Sequence, residues 1–403
     1  MWQDRFIPDA NGSLLAGHTQ NRANVGADSK MGGAGRRERR GKVWQTAALR
    51  TISDRRWQGS TCRGVGAVKL LRYRTAAPNF GDDLNDELWP ALAPALFEGG
   101  TRGRDSGAAF VGIGTIVGID PQGSRTLHVF SSGAGYTRVD RWQACKVEYH
   151  CVRGPVTARV LGLGADKVLT DGAILVPLLE RYRPQVSDRS GRVVVVPHYE
   201  TLDFPGWHEA VQLAGFDLVD PRDTPETVIR SLAGARLVLT ESLHGAIIAD
   251  AFGVPWRGFA VSRNFSTAKW ADWTFSLDLQ VDISLVPPPD PVQLFRFGKR
   301  SEPFGALLSL DQEAAFREFN ERTSRDARAP FLKAQAKRMI EAIPAARRAM
   351  GYEGERTARA LDELARLEPY CSRAGKRDDL RDAMLARLDR LVATCTASLI
   401  AMP

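Results

Sequence analysis

Between about residues 65 and 290 the chain alternates short apolar runs with helix-like stretches, and it runs through that alternation twice. No other feature constrains the fold as much. Strands separated by helices are joined by crossovers, which gives βαβ units and a mostly parallel sheet. In the first series the pattern predicts a strand over 68–73, a helix over 83–97, and glycine-punctuated strands over 108–119 and 127–131. A strand over 146–152, a helix over 155–163 and a strand over 167–170 follow. A polar stretch at 181–190 (RYRPQVSDRS) then interrupts the pattern. The second series opens with four consecutive valines in a strand at 192–197, a helix at 207–214 and a strand at 217–219. It continues with a helix at 224–233, a strand at 237–240, a helix at 243–252 and a strand at 256–260. The expectation is an α/β protein of two α/β halves, 65–185 and 186–290, with a cleft between them of the kind that binds small molecules.

The two ends differ from this middle. Residues 1–64 are rich in Gly, Ser, Asn and Arg without sustained periodicity, and are expected to be a disordered extension. After Pro287-Pro288-Pro289 the character turns helical through 291–403, with apolar spacing over 311–321, 330–350, 356–367 and 378–399. Leu380, Met384, Leu388 and Leu391 form one stripe, expected to pack on the body of the protein. A chain of 403 residues exceeds the usual single-core size. Its 43% hydrophobic and 25% charged residues are those of an ordinary globular protein. No apolar run approaches the roughly 18 residues that span a bilayer, and the start lacks a signal-peptide core, so a cytoplasmic protein is expected. Five scattered cysteines without CxxC spacing argue against a disulfide framework or a zinc site. A net charge of +8 suits nucleic acid, an anionic membrane face or anionic small substrates. Part of it sits in Arg36-Arg37-Glu38-Arg39-Arg40, inside the extension, which weighs against nucleic acid.

Four strand-to-helix junctions carry residues with chemistry. The first is Asn79-Phe80-Gly81-Asp82-Asp83-Leu84-Asn85. Gly81 permits a tight turn, and Asp82 or Asp83 can cap the helix or accept a proton from a sugar hydroxyl; a plain capping loop accounts for the segment equally well. The second is the series Gly112, Gly114 and Gly118 with Ser131-Ser132-Gly133-Ala134-Gly135, whose amides can turn toward an anion or a sugar. Neither stretch matches GxGxxG, so a dinucleotide is not indicated. The third is Arg153-Gly154-Pro155, where an arginine at a strand end can fork onto a carboxylate or phosphate, or simply make a surface ion pair. The fourth is Glu241-Ser242-Leu243-His244-Gly245, which sets a histidine at the carboxyl end of a strand beside a helix N-terminus. Ser242 is the expected N-cap, and Gly245 lets the backbone approach a ligand. A capped helix with a hydrogen-bonded histidine is the plain alternative. No metal site is expected, because His198 and Glu200 lack a third partner.

Together these segments resemble the polysaccharide pyruvyl transferase family, particularly its exopolysaccharide ketalase branch. The resemblance rests on residues 79–85, Arg153-Gly154-Pro155, Asp171-Gly172-Ala173, Ser242 to Gly245, Ala249 to Pro255 and Lys269-Trp270-Ala271-Asp272-Trp273, and it covers roughly 65–279. It implies two Rossmann-like halves resembling a GT-B arrangement. It also implies transfer of pyruvate from phosphoenolpyruvate to two sugar hydroxyls, giving a cyclic ketal and phosphate. No cofactor is implied beyond the donor substrate. The acceptor would be a sugar carried on a lipid-linked oligosaccharide, with peripheral contact at the inner face of the plasma membrane and no nucleic acid.

By resemblance His244 is the catalytic histidine, assigned as general acid, and Arg153 the donor-binding arginine. Leu243, Gly245 and Ser242 border the donor, with Asn79, Gly81 and Gly133 nearby, and Asp82 and Asp83 orient the acceptor. Some relatives carry an arginine before the Leu-His pair where this chain has Glu241, so Lys269 or Arg263 would supply the missing charge. A GT-B glycosyltransferase using a nucleotide sugar, and a non-catalytic sugar-binding module, are the rival readings.

Overall fold

A computed structural model describes residues 68–74, 77–97, 107–183, 191–324 and 353–400, with side chains to 396. All of them fall in the unit Thr51–Pro403. The expected extension at 1–64 and the helix expected at 330–350 lie outside the described residues.

The first half is a four-stranded, wholly parallel sheet in the order β1-β2-β3-β4. Its strands are β1 (Lys69–Leu71), β2 (Ala108–Val111), β3 (Thr126–Ser132) and β4 (Lys146–Val152). The second half is a six-stranded sheet built from β5 (Val193–Val196), β6 (Asp217–Leu218), β7 (Leu237–Thr240), β8 (Trp256–Ala260), β9 (Asp282–Leu285) and β10 (Leu307–Ser309). Its order is β10-β9-β8-β7-β5-β6, parallel except for the β9–β10 pair. β5 pairs β6 on one side and β7 on the other, so the topology switches direction there, and ligands of open α/β sheets bind outside the strand carboxyl ends at such a point.

The four valines of β5 are all buried, as a strand covered on both faces requires. The connecting helices include α1 (Phe80–Asp83), α2 (Asn85–Leu92), α3 (Pro94–Phe97), α4 (Pro155–Leu161), α5 (Trp207–Leu213), α6 (Pro225–Ala233), α7 (Leu243–Ala251) and α8 (Thr267–Ser276). The expected single helix over 83–97 is instead these first three pieces. Pro94 disfavours helical geometry at the residue before it, and Ala93 indeed leaves it at φ −139°. The strand expected at 108–119 stops at Val111, because Gly112 is pressed against Trp89 and Asn85 and Gly114 takes φ +117°. The strand expected at 167–170 shrinks to one bridge, Val152 to Val168, before Asp171 caps a 3-10 segment, Gly172–Leu178.

One buried apolar cluster joins the halves, running from Phe110 and Phe130 through Ala173–Val176 to Ile247, Trp256 and Trp273. Beyond α9 (Val292–Phe297) and α10 (Gln312–Ser324) come α11 (Gly354–Arg366) and α12 (Ala374–Ile400), the helical C-terminal region. Tyr370 forms a bridge with Trp256, and Ser372 donates to the buried Asp250 carboxylate, which ties this region to the second sheet. From there α12 crosses to the first half, with Leu380, Met384, Leu388 and Leu391 buried. Arg387 donates to the His150 carbonyl at 2.8 Å. Among the described residues no helix is long and apolar enough to cross a membrane.

Candidate functional site

A cavity of about 530 Å³ lies at the carboxyl ends of both sheets. Tyr73 follows β1 in its wall, Thr115 follows β2 and Tyr136 follows β3. From the second half come His198 after β5, residues Glu241 to His244 after β7, and Asn264 and Lys269 after β8.

The β7–α7 turn is fixed by side chains. Thr240 Oγ1 accepts from the Ser242 amide at 2.9 Å, and Ser242 Oγ receives the Gly245 amide at 3.4 Å as the expected N-cap. The amides of Leu243 and His244 have no acceptor among the described residues and stand at the positive end of a nine-residue helix. A Cβ on Gly245 would meet Thr240 Oγ1 at 2.5 Å, so the missing side chain also lets the helix pack on the strand end.

His244 is in the wall, with Nε2 buried and unpartnered among the described residues. Gly81 makes room for its ring, since a Cβ on Gly81 would come within 1.9 Å of Nδ1. Burial first, then the charges of Arg153 and Lys269, push His244 down to about 3, so its ring is neutral near pH 7.

Arg153 is fully buried and stands one layer behind the wall. Nε donates to Asp272 at 2.9 Å and Nη1 to Thr115 Oγ1 at 2.9 Å, while Nη2 has no partner among the described residues. Asp272 also receives the Thr157 amide at 2.8 Å and hydroxyl at 2.7 Å, so a residue of α8 fixes a residue between β4 and α4. Gly133 lies against the guanidinium, 2.1 Å from where its own Cβ would sit. Two further buried atoms, Ser131 Oγ and Asp171 Oδ2, also lack partners among the described residues. Asp171 is pushed up to about 6 by burial, against the pull of Arg153. Buried polar atoms are ordinarily satisfied, so the unpartnered Arg153 Nη2, with the Asp171 carboxyl within reach of its charge, marks a place for ordered water or a ligand oxygen.

Asp82 lines the cavity and takes a hydrogen bond from Asn79 at 2.8 Å. Burial raises it to about 6, against the pull of Lys269. Lys269 makes no ion pair among the described residues; its ammonium sits 3.9 Å from the centre of the Tyr136 ring. Two expected members lie elsewhere. Asp83 is outside the wall and pairs with Arg72 at 2.5 Å. Arg263 is exposed, with its side chain against Gly298.

Glu241, the residue set against an arginine of some relatives, has a structural task of its own. It turns inward and braces the second half, accepting from Thr201 Oγ1 at 2.7 Å and from the amides of His198 and Val261. The sequence reading missed Asp272 as the anchor of Arg153, along with Thr115, Thr157 and Tyr136. It also missed Asn264, which bonds Glu200 at 2.8 Å across the cavity floor. Of these only Asp272 had a signal, as the acid inside Lys269-Trp270-Ala271-Asp272-Trp273.

No solved structure matches the chain. Residues 126–263, which contain Arg153 and His244, match the polysaccharide pyruvyl transferase family. The succinoglycan biosynthesis protein ExoV of Rhizobium meliloti (strain 1021) is 33% identical over 225 residues, 55% of this chain and 68% of that protein. The chain therefore belongs to the polysaccharide pyruvyl transferase family.

Proposed function

We propose that this cleft transfers pyruvate from phosphoenolpyruvate to two hydroxyls of one sugar residue, forming a cyclic ketal during the assembly of an exopolysaccharide. The observation that carries the reading is the convergence on one cavity of a cation, Lys269, two open amides at the start of α7, and two proton carriers, Asp82 and His244. The unpartnered Arg153 Nη2 lies directly behind it. The donor carries a carboxylate and a phosphate and needs that kind of surround. Family membership and the likeness to a succinoglycan biosynthesis protein point the same way.

The reaction adds a proton to the methylene carbon of the donor and leaves an oxocarbenium-like centre. One sugar hydroxyl attacks that centre, the C–O bond to phosphate breaks, and the second hydroxyl closes the ring. Of the two hydroxyl protons, one restores the group that protonated carbon and the other leaves with phosphate. His244 is neutral in the free cleft. A donor bringing several negative charges beside Arg153 and Lys269 offsets their field and lets the ring hold the proton that carbon receives. Asp82, raised to about 6, takes a hydroxyl proton from the sugar and passes it on to the departing phosphate. The two halves are arranged like a GT-B enzyme, with the donor between them. The acceptor is lipid-linked, and the protein works without a cofactor at the inner face of the plasma membrane, which its net charge of +8 favours.

The test is incubation with phosphoenolpyruvate and a panel of lipid-linked and synthetic glycosides, following phosphate release and the acid-labile ketal on the sugar. Glycoside-dependent phosphate release supports the reading. Release of a nucleoside diphosphate from a nucleotide sugar, with phosphoenolpyruvate untouched, would replace it by a glycosyltransferase.

A further inference from the structure

The first sheet carries a second cluster, unrelated to the reaction. His128 of β3 stands opposite Glu148 of β4, and His150 follows two residues later on the same face. His128 Nδ1 and His150 Nε2 are 3.2 Å apart. Glu148 Oε2 is 3.3 Å from the first of these atoms and 3.9 Å from the second. A point equidistant from all three atoms lies about 2 Å from each, the length of a zinc–nitrogen or zinc–carboxylate bond. We propose that His128 Nδ1, Glu148 Oε2 and His150 Nε2 bind one divalent transition-metal ion of the zinc class, on the face of β3 and β4 that α12 covers.

The surroundings fix how the ligands are presented. Cys395 Sγ of α12 is 3.9 Å from His128 Nε2. With the ring proton on Nε2, toward that sulfur, the Nδ1 lone pair is left for the ion, as the outer contacts of ligating histidines arrange. Lys146 holds the other oxygen of Glu148 at 2.6 Å, which aims Oε2 at the histidines. Three protein ligands leave a fourth position open. Beside His150 a cavity of about 260 Å³ is lined by Lys167, Arg387 and Arg390, so water or a small anion completes the shell there. These cations oppose a second positive charge, and an anion in the open position offsets that repulsion.

The full chain, stripped with EDTA and dialysed, would be titrated with Zn²⁺ by calorimetry and with Co²⁺ by visible absorption. One ion per chain is expected, with the intense d–d bands of a four-coordinate cobalt site. Glu148→Gln and His150→Asn should each weaken binding by about a hundredfold or more, and Cys395→Ser by about tenfold. Glu148→Gln keeps the strand's shape, and its urea-unfolding midpoint without metal shows that a lost ion is not a lost fold. Wild type that retains no ion overturns the site, as does binding that survives both ligand substitutions. A thiolate-to-cobalt charge-transfer band would overturn the ligand set, because it would place Cys395 on the metal.

Discussion

Arg153 and His244 occupy matching positions, each just past a strand at the carboxyl edge of its own sheet, yet they are built in opposite ways. Arg153 is locked by Asp272 and Thr115 and keeps one N–H group in reserve. His244 has no side-chain hydrogen bond among the described residues and touches its surroundings through the edge of Phe80 and the bare backbone of Gly81. The arginine is a permanent charge held in place by an opposite one. The histidine is a group whose charge can change, and burial with the nearby cations keeps it neutral near pH 7. The proposed reaction uses both: a fixed field to hold the donor, and a proton whose position shifts during the reaction.

If that contrast is right, the two residues fail differently, and Arg153 fails harder. Arg153→Ala leaves Asp272 buried without its counter-charge. The fold should lose about 3–5 kcal/mol in urea unfolding, the usual cost of breaking a buried ion pair. Arg153→Lys keeps charge but not the fork, and should lower kcat/KM for phosphoenolpyruvate by about 10²–10³ while costing less stability. Equal stability in all three proteins would show that the Asp272 pair is no anchor.

His244→Gln should reverse the balance. Turnover falls by about 10²–10⁴, as for loss of a general acid, while stability stays within about 1 kcal/mol because no side-chain hydrogen bond is lost. Unchanged turnover would remove His244 from the chemistry. Gly81→Ala attacks the same ring from its neighbour. The added methyl overlaps Nδ1 and pushes the imidazole aside, so turnover should drop by less than in His244→Gln, at about 1–3 kcal/mol in stability. A crystal structure of the variant with an unmoved ring would break the link between the two residues.

The second half was the more legible of the two. Four valines and the Ser242 cap announce β5 and α7 through local chemistry, and both stand where expected. His244 and Asp82 could be read as candidates because each follows a strand, Lys269 only through the family resemblance, and all three line one cavity. The partners of Arg153 could not. Asp272 lies 119 residues away on α8, and only packing of the two halves brings it to the guanidinium. The His128, Glu148 and His150 cluster was hidden for a related reason: the expectation of no metal site came from linear spacing, whereas these three meet through the register of β3 and β4. Asp83 and Arg263 show the converse error, in which a charged residue near a motif satisfies a local partner or faces solvent instead.

Glu241 offers the smallest and most selective test, since it is ionisable and buried like Arg153 but surrounded only by neutral donors. Burial pushes it up to about 7 from an ordinary 4.5, more than its hydrogen bonds from Thr201, His198 and Val261 pull it down. Between those two values the folded protein holds a proton that the unfolded chain has released. Its contribution to stability therefore falls as pH rises from about 4.5 to about 7 and is level above that. His244 and His198, both pushed down to about 3, act in the opposite sense, because the unfolded chain takes up their protons as pH falls below 6.5. Asp82 and Asp171, both raised to about 6, add to the Glu241 trend. The net profile of the wild type mixes these, so the informative quantity is the difference from Glu241→Gln. That substitution removes only the Glu241 component and keeps an acceptor oxygen for the Thr201 hydroxyl. Urea unfolding at a series of pH values should show wild type losing stability relative to the variant across pH 4.5–7, by on the order of a few kcal/mol in all. A flat difference would mean that Glu241 keeps its charge in the fold. The β7–α7 turn would then carry a fixed negative charge beside His244, and the histidine, no longer held neutral by its surroundings, would lose its contrast with Arg153.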